Sequence, residues 1–208
     1  MDWHAALMDL PARLGVTLGD IPSRVPYLRP PEAARSRWSA RLQPWAGRRK
    51  VGLAWCGSHA QVNNRNRAMP YSLLRPLARA PGVQCFNLQK GDAGAWTDVA
   101  PDGRELVDLT GEWTDFGESA AMIEQLDLVV TVDTAIAHLA GALGKPVWIL
   151  LAPNADWRWL REREDSPWYP TARLFRRSHG EDRAAQVGRL REAFARWLPA
   201  PPEAGVSA

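Results

Sequence analysis

Four short runs, apolar almost from end to end, most constrain what this chain can fold into: Val51–Cys56, Val83–Leu88, Leu128–Val132 and Val147–Leu151. A strand with one wet face alternates apolar and polar residues, so a run without that alternation is covered on both faces. Helix-length segments separate them, at Tyr71–Ala80, Glu118–Gln125 and Thr134–Leu143, with an amphipathic helix at Asp182–Leu198. Glu105–Leu109 and Arg173–Phe175 read as two shorter strands. Strands alternating with helices predict an α/β fold, a Rossmann-like doubly wound parallel sheet of five or six strands. No internal repeat interrupts the pattern.

The first 45 residues differ. The stretch LMDLPARLGVTLGDIPSRVPYLRPPEAARSRW carries five prolines and no useful strand. Proline removes a donor and restricts its predecessor, so short helical turns over a surface are predicted, then one helix from Glu32 to about Leu42. The expected organisation is residues 1–45 as the tail of a missing N-terminal domain plus linker, 46–198 as the Rossmann-like domain, and 199–208 as a disordered tail. A domain cut from a larger protein should present an apolar face. Trp3, Leu7, Leu10 and Leu14 are expected to cover part of it or to drive self-association.

Composition narrows the partners. A net charge of +3 with dispersed basic residues gives no case for nucleic acid. The longest apolar run, Pro146–Ala152, is seven residues, too short for a membrane span. Cys56 and Cys85 sit inside apolar strands, which favours buried free thiols over a disulfide and fits a reducing compartment. The opening MDWHAALMDL lacks a basic-then-apolar signal, so the expected location is cytoplasmic.

Ligands of such sheets bind outside the carboxyl ends of the strands. Three loops fall there. In Val132–His138, Asp133 or Thr134 can cap the following helix, whose free amides suit a diphosphate. Asp133 is negative and better suited to capping or to sugar hydroxyls, and His138 lies one turn along on the side of Thr134. An ordinary capped helix explains the loop as well. The loop from Gly57 to Arg67 places Arg65 and Arg67 among asparagines, either to clamp phosphate oxygens or as a solvated surface. In Gln89–Asp92, Lys90 is a point charge for the same phosphates or a surface lysine. The four histidines are scattered, and no metal-binding spacing, Gly-x-Gly-x-x-Gly, Walker A or Gly-x-Ser-x-Gly pattern occurs.

The run LDLVVTVDTAIAHLAGALGKPVWILL resembles the signature of glycosyltransferase family 9, which includes the ADP-heptose:lipopolysaccharide heptosyltransferases. Its Asp-[Ser/Thr]-small-x-x-His pattern falls on Asp133, Thr134, Ala135 and His138, with Ala135 where glycine is usual. The segments MDLPARLGVTLGDIPSRVPYL, VGLAWCGSHAQVNNRNRAMPYSLLRPL, FNLQKGD and APNADWRWLREREDSPWYPTARLFRR are similar to the glycosyltransferase-like C-terminal region of bacterial tetratricopeptide-repeat proteins.

The resemblance implies the C-terminal half of a GT-B fold that binds a nucleotide-diphosphate sugar. It implies backbone amides of Thr134 and Ala135 on the diphosphate, Arg65 or Arg67 and Lys90 as cations, and Asp133 and His138 near the sugar. The block Asp156–Trp159 with Ser166–Pro170 forms the outer wall of the pocket in this reading. Transfer would be metal-independent and inverting, because arginine and helix amides can neutralise the leaving diphosphate. No cofactor is called for, the nucleotide sugar being the donor substrate. The acceptor site and base would belong to a separate N-terminal domain or repeat protein. The alternative is a non-catalytic nucleotide-sugar-binding or scaffolding module.

Overall fold

The computed structural model describes residues 4–57, 64–91 and 104–198. Trp3, residues 58–63 of the arginine–asparagine loop, Asp92 and the tail from Pro199 lie outside the described residues. Before the sheet come α1 (Leu10–Arg13) and α2 (Glu32–Arg41). Then follow β1 (Arg49–Ala54), α3 (Asn64–Arg67), α4 (Tyr71–Ala78), β2 (Val83–Asn87) and β3 (Leu106–Asp108). The chain continues through α5 (Phe116–Glu124), β4 (Leu128–Val132), α6 (Ala135–Ala142), β5 (Val147–Leu151), β6 (Ala172–Arg176) and α7 (Arg183–Trp197).

The six strands form one sheet in the order β3-β2-β1-β4-β5-β6, and every neighbouring pair is parallel. Leu53 lies level with Asn87 on one side and Val130 on the other, so β1 and β4 are the central pair at which the winding reverses. This is the Rossmann-like sheet read from the sequence. Its strands are apolar throughout because alternate residues feed two cores. Val129 of β4 packs with Phe86, Ile123 and Ile149 under α5 and α6. Leu128, Val130 and Val132 pack with Leu53, Leu74 and Leu190 under α4 and α7.

β1 begins two residues before the predicted Val51 and ends at Ala54, not Cys56. Beyond Ala54 the backbone leaves the ladder: Trp55 O accepts from Met69 N at 2.8 Å, and Cys56 N donates to Gln89 Oε1 at 3.0 Å. Both cysteines are buried and free, as read, and burial pushes the Cys85 thiol far above its usual range.

α2 runs over the predicted span and lies against α5. Trp38, 1% exposed, donates from Nε1 to Glu118 Oε2 at 2.8 Å, and Ala34, Trp38 and Leu42 join the core. Arg35 Nε meets Glu124 Oε2 at 2.7 Å, and Arg37 pairs with Glu118. Further upstream the chain forms short turns at Leu7–Asp9, Leu10–Arg13 and Leu18–Asp20. Leu7 and Leu14 are 78% and 74% exposed and cover no face of the sheet. The segment returns to the body at Tyr27 and Leu28, whose amides donate to Ala142 O at the end of α6. Among the described residues no helix is long and apolar enough to cross a membrane.

Candidate functional site

The reversal between β1 and β4 opens a crevice at the carboxyl edge, where α/β sheets bind ligands. A cavity of about 460 Å³ occupies it, within the range of small-molecule sites. Its walls come from the ends of β1 (Cys56, Gly57), β2 (Gln89, Lys90) and β4 (Thr134, Ala135), with Trp113 and Phe116 opposite. Lys90 Nζ donates to Trp113 O and so ties the β2 loop to the start of α5. Asp115 caps α5, accepting from Glu118 N at 3.0 Å.

Of the two capping candidates, Asp133 and Thr134, neither caps α6 with its side chain. Thr134 occupies the N-cap position in extended conformation, but its Oγ1 lies 3.2 Å from Thr131 Oγ1 and is engaged there. The amides of Ala135 and Ile136, in the first helical turn, therefore have neither an intrahelical acceptor nor a capping side chain. Both residues line the cavity. Free amides at the positive end of a helix dipole form a cradle for an anion.

Arg67 stands at the edge of the crevice, beside its Gly57 wall, though it lies outside the cavity lining. Its Nη1 donates to Asp133 O at 2.8 Å, joining α3 to the turn that opens α6, and its buried Nε has no partner. The guanidinium lies so close to Gly57 that a Cβ there would sit 2.3 Å from Nη2, so glycine is required for this approach. Arg65 is exposed and lies outside the cavity lining, its backbone carbonyl accepting from Arg183 Nη2 at 2.8 Å. Two further carbonyls of this turn are held from afar, Ala68 O by Arg183 Nε at 3.0 Å and Asn66 O by Arg177 Nη2 at 3.1 Å.

His138 belongs to a different cavity, of about 420 Å³, walled by Trp157, Arg158, Trp159, Trp168 and Tyr169. Its Nδ1 lies 3.1 Å from Tyr169 Oη, and its ring stacks on Trp159 with centroids 5.3 Å apart and planes 13° from parallel. Asp133, half-buried, immediately precedes the residues that α6 contributes to both cavities and acts on His138 through its charge. Thus Lys90, Thr134 and Ala135 share the crevice, Arg67 reaches its edge, and His138 faces the aromatic cavity. The wall foreseen from Asp156–Trp159 and Ser166–Pro170 is in fact a cavity of its own.

The loop that carries these tryptophans is strained. Leu160 has φ 55° and ψ −157°, and Glu162 has φ 55°, both in regions that disfavour side-chain-bearing residues. Such conformations cost roughly 1–3 kcal/mol each and persist only when the surroundings impose them. Tyr169 is held against α6 because Gly141 leaves room: a Cβ there would lie 2.4 Å from Tyr169 Cγ. Gly141→Ala is expected to destabilise the chain by about 1–3 kcal/mol through overpacking. Chemical denaturation reads the loss, and an unchanged midpoint would contradict this packing.

Burial lowers the His138 pKa from 6.5, with Arg158 adding to the effect while Asp133 and Asp156 oppose it. A histidine depressed in the fold takes up its proton more readily when unfolded, so the contribution is whole above pH 6.5 and is lost as pH falls towards the folded-state value. Melting temperature should therefore fall on acidification below that point more steeply in the parent than in His138→Gln. Parallel curves for the two proteins would refute the assignment.

Sequence reasoning did not single out Trp113, Phe116 or Gln89. The last two stand at or beside strand–helix junctions of the carboxyl edge, and that placement rule was the available signal. Trp113 had none, since its place depends on how the chain returns from β3.

Residues 90–186 match the sequence profile of glycosyltransferase family 9 (heptosyltransferase). Over 182 residues the chain is 32% identical to Protein FlbA of Caulobacter vibrioides, an alignment covering 84% of this chain and 30% of that protein. Its fold is similar to that of the Escherichia coli ADP-heptose LPS heptosyltransferase II, with a TM-score of 0.60 at 20% identity, over 88% of this chain and 58% of that one. A glycosyl transferase of family 9 from Veillonella parvula gives a TM-score of 0.61 at 13% identity, over 92% and 59%. The chain thus spans less than two thirds of the length of each of these proteins. With its parallel sheet, switch-point crevice and profile match, the chain carries a glycosyltransferase family 9-like domain.

Proposed function

We propose that this domain binds a nucleoside-diphosphate sugar in the crevice between β1 and β4 and serves its transfer to an acceptor. The observation that carries the reading is the first turn of α6: its amides are uncapped and open into a cavity at the switch point. In this reading the diphosphate lies on the amides of Ala135 and Ile136 beside Thr134. Arg67 and Lys90 neutralise it from the two flanking loops, and Arg65 adds longer-range positive charge. The apolar side of the cavity, at Trp113 and Phe116, takes the nucleoside. Asp133 accepts hydroxyls of the sugar, and His138 stands one turn beyond.

Departure of the diphosphate leaves negative charge that fixed amides and a guanidinium can stabilise without reorganisation. The acceptor and the base that deprotonates it are assigned to a second unit, within a longer chain or in a separate repeat protein. That the similar Escherichia coli enzyme is named for ADP-heptose supports a nucleotide-linked donor.

A thermal-shift screen against ADP, UDP, GDP and their sugars tests the reading. Ligand at about 100 times its dissociation constant adds about 2.7 kcal/mol to the folded state. For a chain of this length that raises the melting temperature by several degrees, at about 2–4 °C per kcal/mol. Stabilisation by one nucleotide class is the expected result. No shift with any of them would overturn the assignment.

A further inference from the structure

The carboxyl edge of the sheet carries a second and larger cavity, of about 1010 Å³, at the ends of β5 and β6. It shares no lining residue with the crevice between β1 and β4, and two strand spacings, about 10 Å, separate the two. Arg161, Arg176, Arg177 and His179 stand in its wall. We propose that this cavity binds the phosphate group of a small phosphomonoester, with the ester's organic body against Pro153, Ala155 and Leu160.

The positive charge of the wall is not answered from within the fold. Two carboxylates share the wall, Asp156 and Glu162, and Asp156 is already paired at 2.7 Å with Arg158, which lies outside this cavity. Among the described residues no carboxylate pairs with Arg161, Arg176 or Arg177. Arg176 gives Nε and Nη2 to the carbonyls of Arg163 and Trp159, and Arg177 gives Nη2 to Asn66 O. Such neutral acceptors orient a guanidinium without cancelling its charge. Further cations press on the group: burial and then Arg163 lower the pKa of Arg176, and burial and then Arg177 lower that of Arg183. Glu181, whose carboxylate feels Arg177, is held by Arg189 and by Ser178 N. Like charges gathered in a half-buried wall raise one another's energy, and an entering oxyanion relieves it. Leu160 and Glu162, both at φ 55°, stand in the same wall, so the loop keeps a costly backbone where it shapes the cavity.

The geometry selects the ligand. A doubly charged tetrahedral group suits several arginines at once, because a guanidinium offers paired donors to oxyanions. The cavity is far larger than a bare phosphate ion and leaves room for an attached body of small-molecule size. The site goes beyond the nucleotide-sugar reading and does not depend on it.

Proton–carbon NMR of the full chain with labelled histidine tests the proposal, with His179 assigned through His179→Gln. The probes are inorganic phosphate, glycerol 3-phosphate and phenyl phosphate, each titrated at constant ionic strength against chloride. At least one monoester should shift the His179 resonance saturably and bind more tightly than inorganic phosphate, while chloride leaves the resonance in place. Arg161→Gln should weaken that binding by about tenfold, and Arg161→Lys should retain part of it. Arg161 is exposed, so both variants are expected to keep the parent melting temperature. Silence at His179 with both monoesters, an equal response to chloride, or unchanged affinity in Arg161→Gln would overturn the site. Equal affinity for the monoesters and inorganic phosphate would overturn it too, by assigning the cavity to the free ion. A nucleotide that stabilises the chain without moving His179 leaves the crevice assignment standing whatever becomes of this one.

Discussion

Replacing Arg67 with alanine is expected to weaken binding of the stabilising nucleotide by about 10- to 150-fold. The figure corresponds to loss of charged hydrogen bonding worth about 1.5–3 kcal/mol. Arg67 does two things at once: Nη1 fixes Asp133 O, and the guanidinium stands beside the uncapped turn of α6. Removing it takes away both the charge and the brace on the turn. Arg67→Lys should recover only part of the affinity, because an ammonium is a point charge without the planar fork. Calorimetric titration measures both variants. Unchanged affinity in Arg67→Ala would remove Arg67 from the site.

Trp38→Ala should lower the unfolding free energy by about 3–5 kcal/mol, the usual cost of truncating a buried indole. The side chain fills the seam between α2 and α5, and its loss also deprives Glu118 Oε2 of a donor. Glu118 is held below the usual carboxylate range by Arg37 first and by Trp38 next, so the carboxylate keeps one partner in the variant. Trp38→Phe preserves most of the packing and should cost only about 1 kcal/mol for the lost hydrogen bond. A single cooperative transition, displaced for Trp38→Ala, is expected on denaturation. A change below about 0.5 kcal/mol would mean that α2 behaves as surface.

The sheet was legible because its strands carry no wet face. Val129 and its neighbours on β4 feed opposite cores, and no surface hairpin can bury both. Strand ends were less legible, since Trp55 and Cys56 are as apolar as the strand but bond to Met69 and Gln89 instead of to a neighbouring strand. The α6 turn was located from its sequence, yet its capping was not. Whether Thr134 caps depends on Thr131, three residues back inside the sheet. Arg65 and Arg67 look equivalent as letters; only the close approach at Gly57 distinguishes the one that turns inward. The weight of α2 in the core was hidden by the proline-rich stretch before it. The tryptophans after β5 were noticed as a wall, but a cavity is a property of several ring angles, which no spacing encodes.

The carbonyls of Arg65, Asn66 and Ala68 are gripped by Arg177 and Arg183, more than a hundred residues later in the chain. On the ribosome, therefore, the turn that carries Arg67 is synthesised more than a hundred residues before the arginines that grip it and stays without them until Arg177 and Arg183 have emerged. Inheritance is coupled in the same way: a substitution at Arg183 is expected to loosen the turn of Arg67, and compensation would arise more than a hundred residues away from the position that changed.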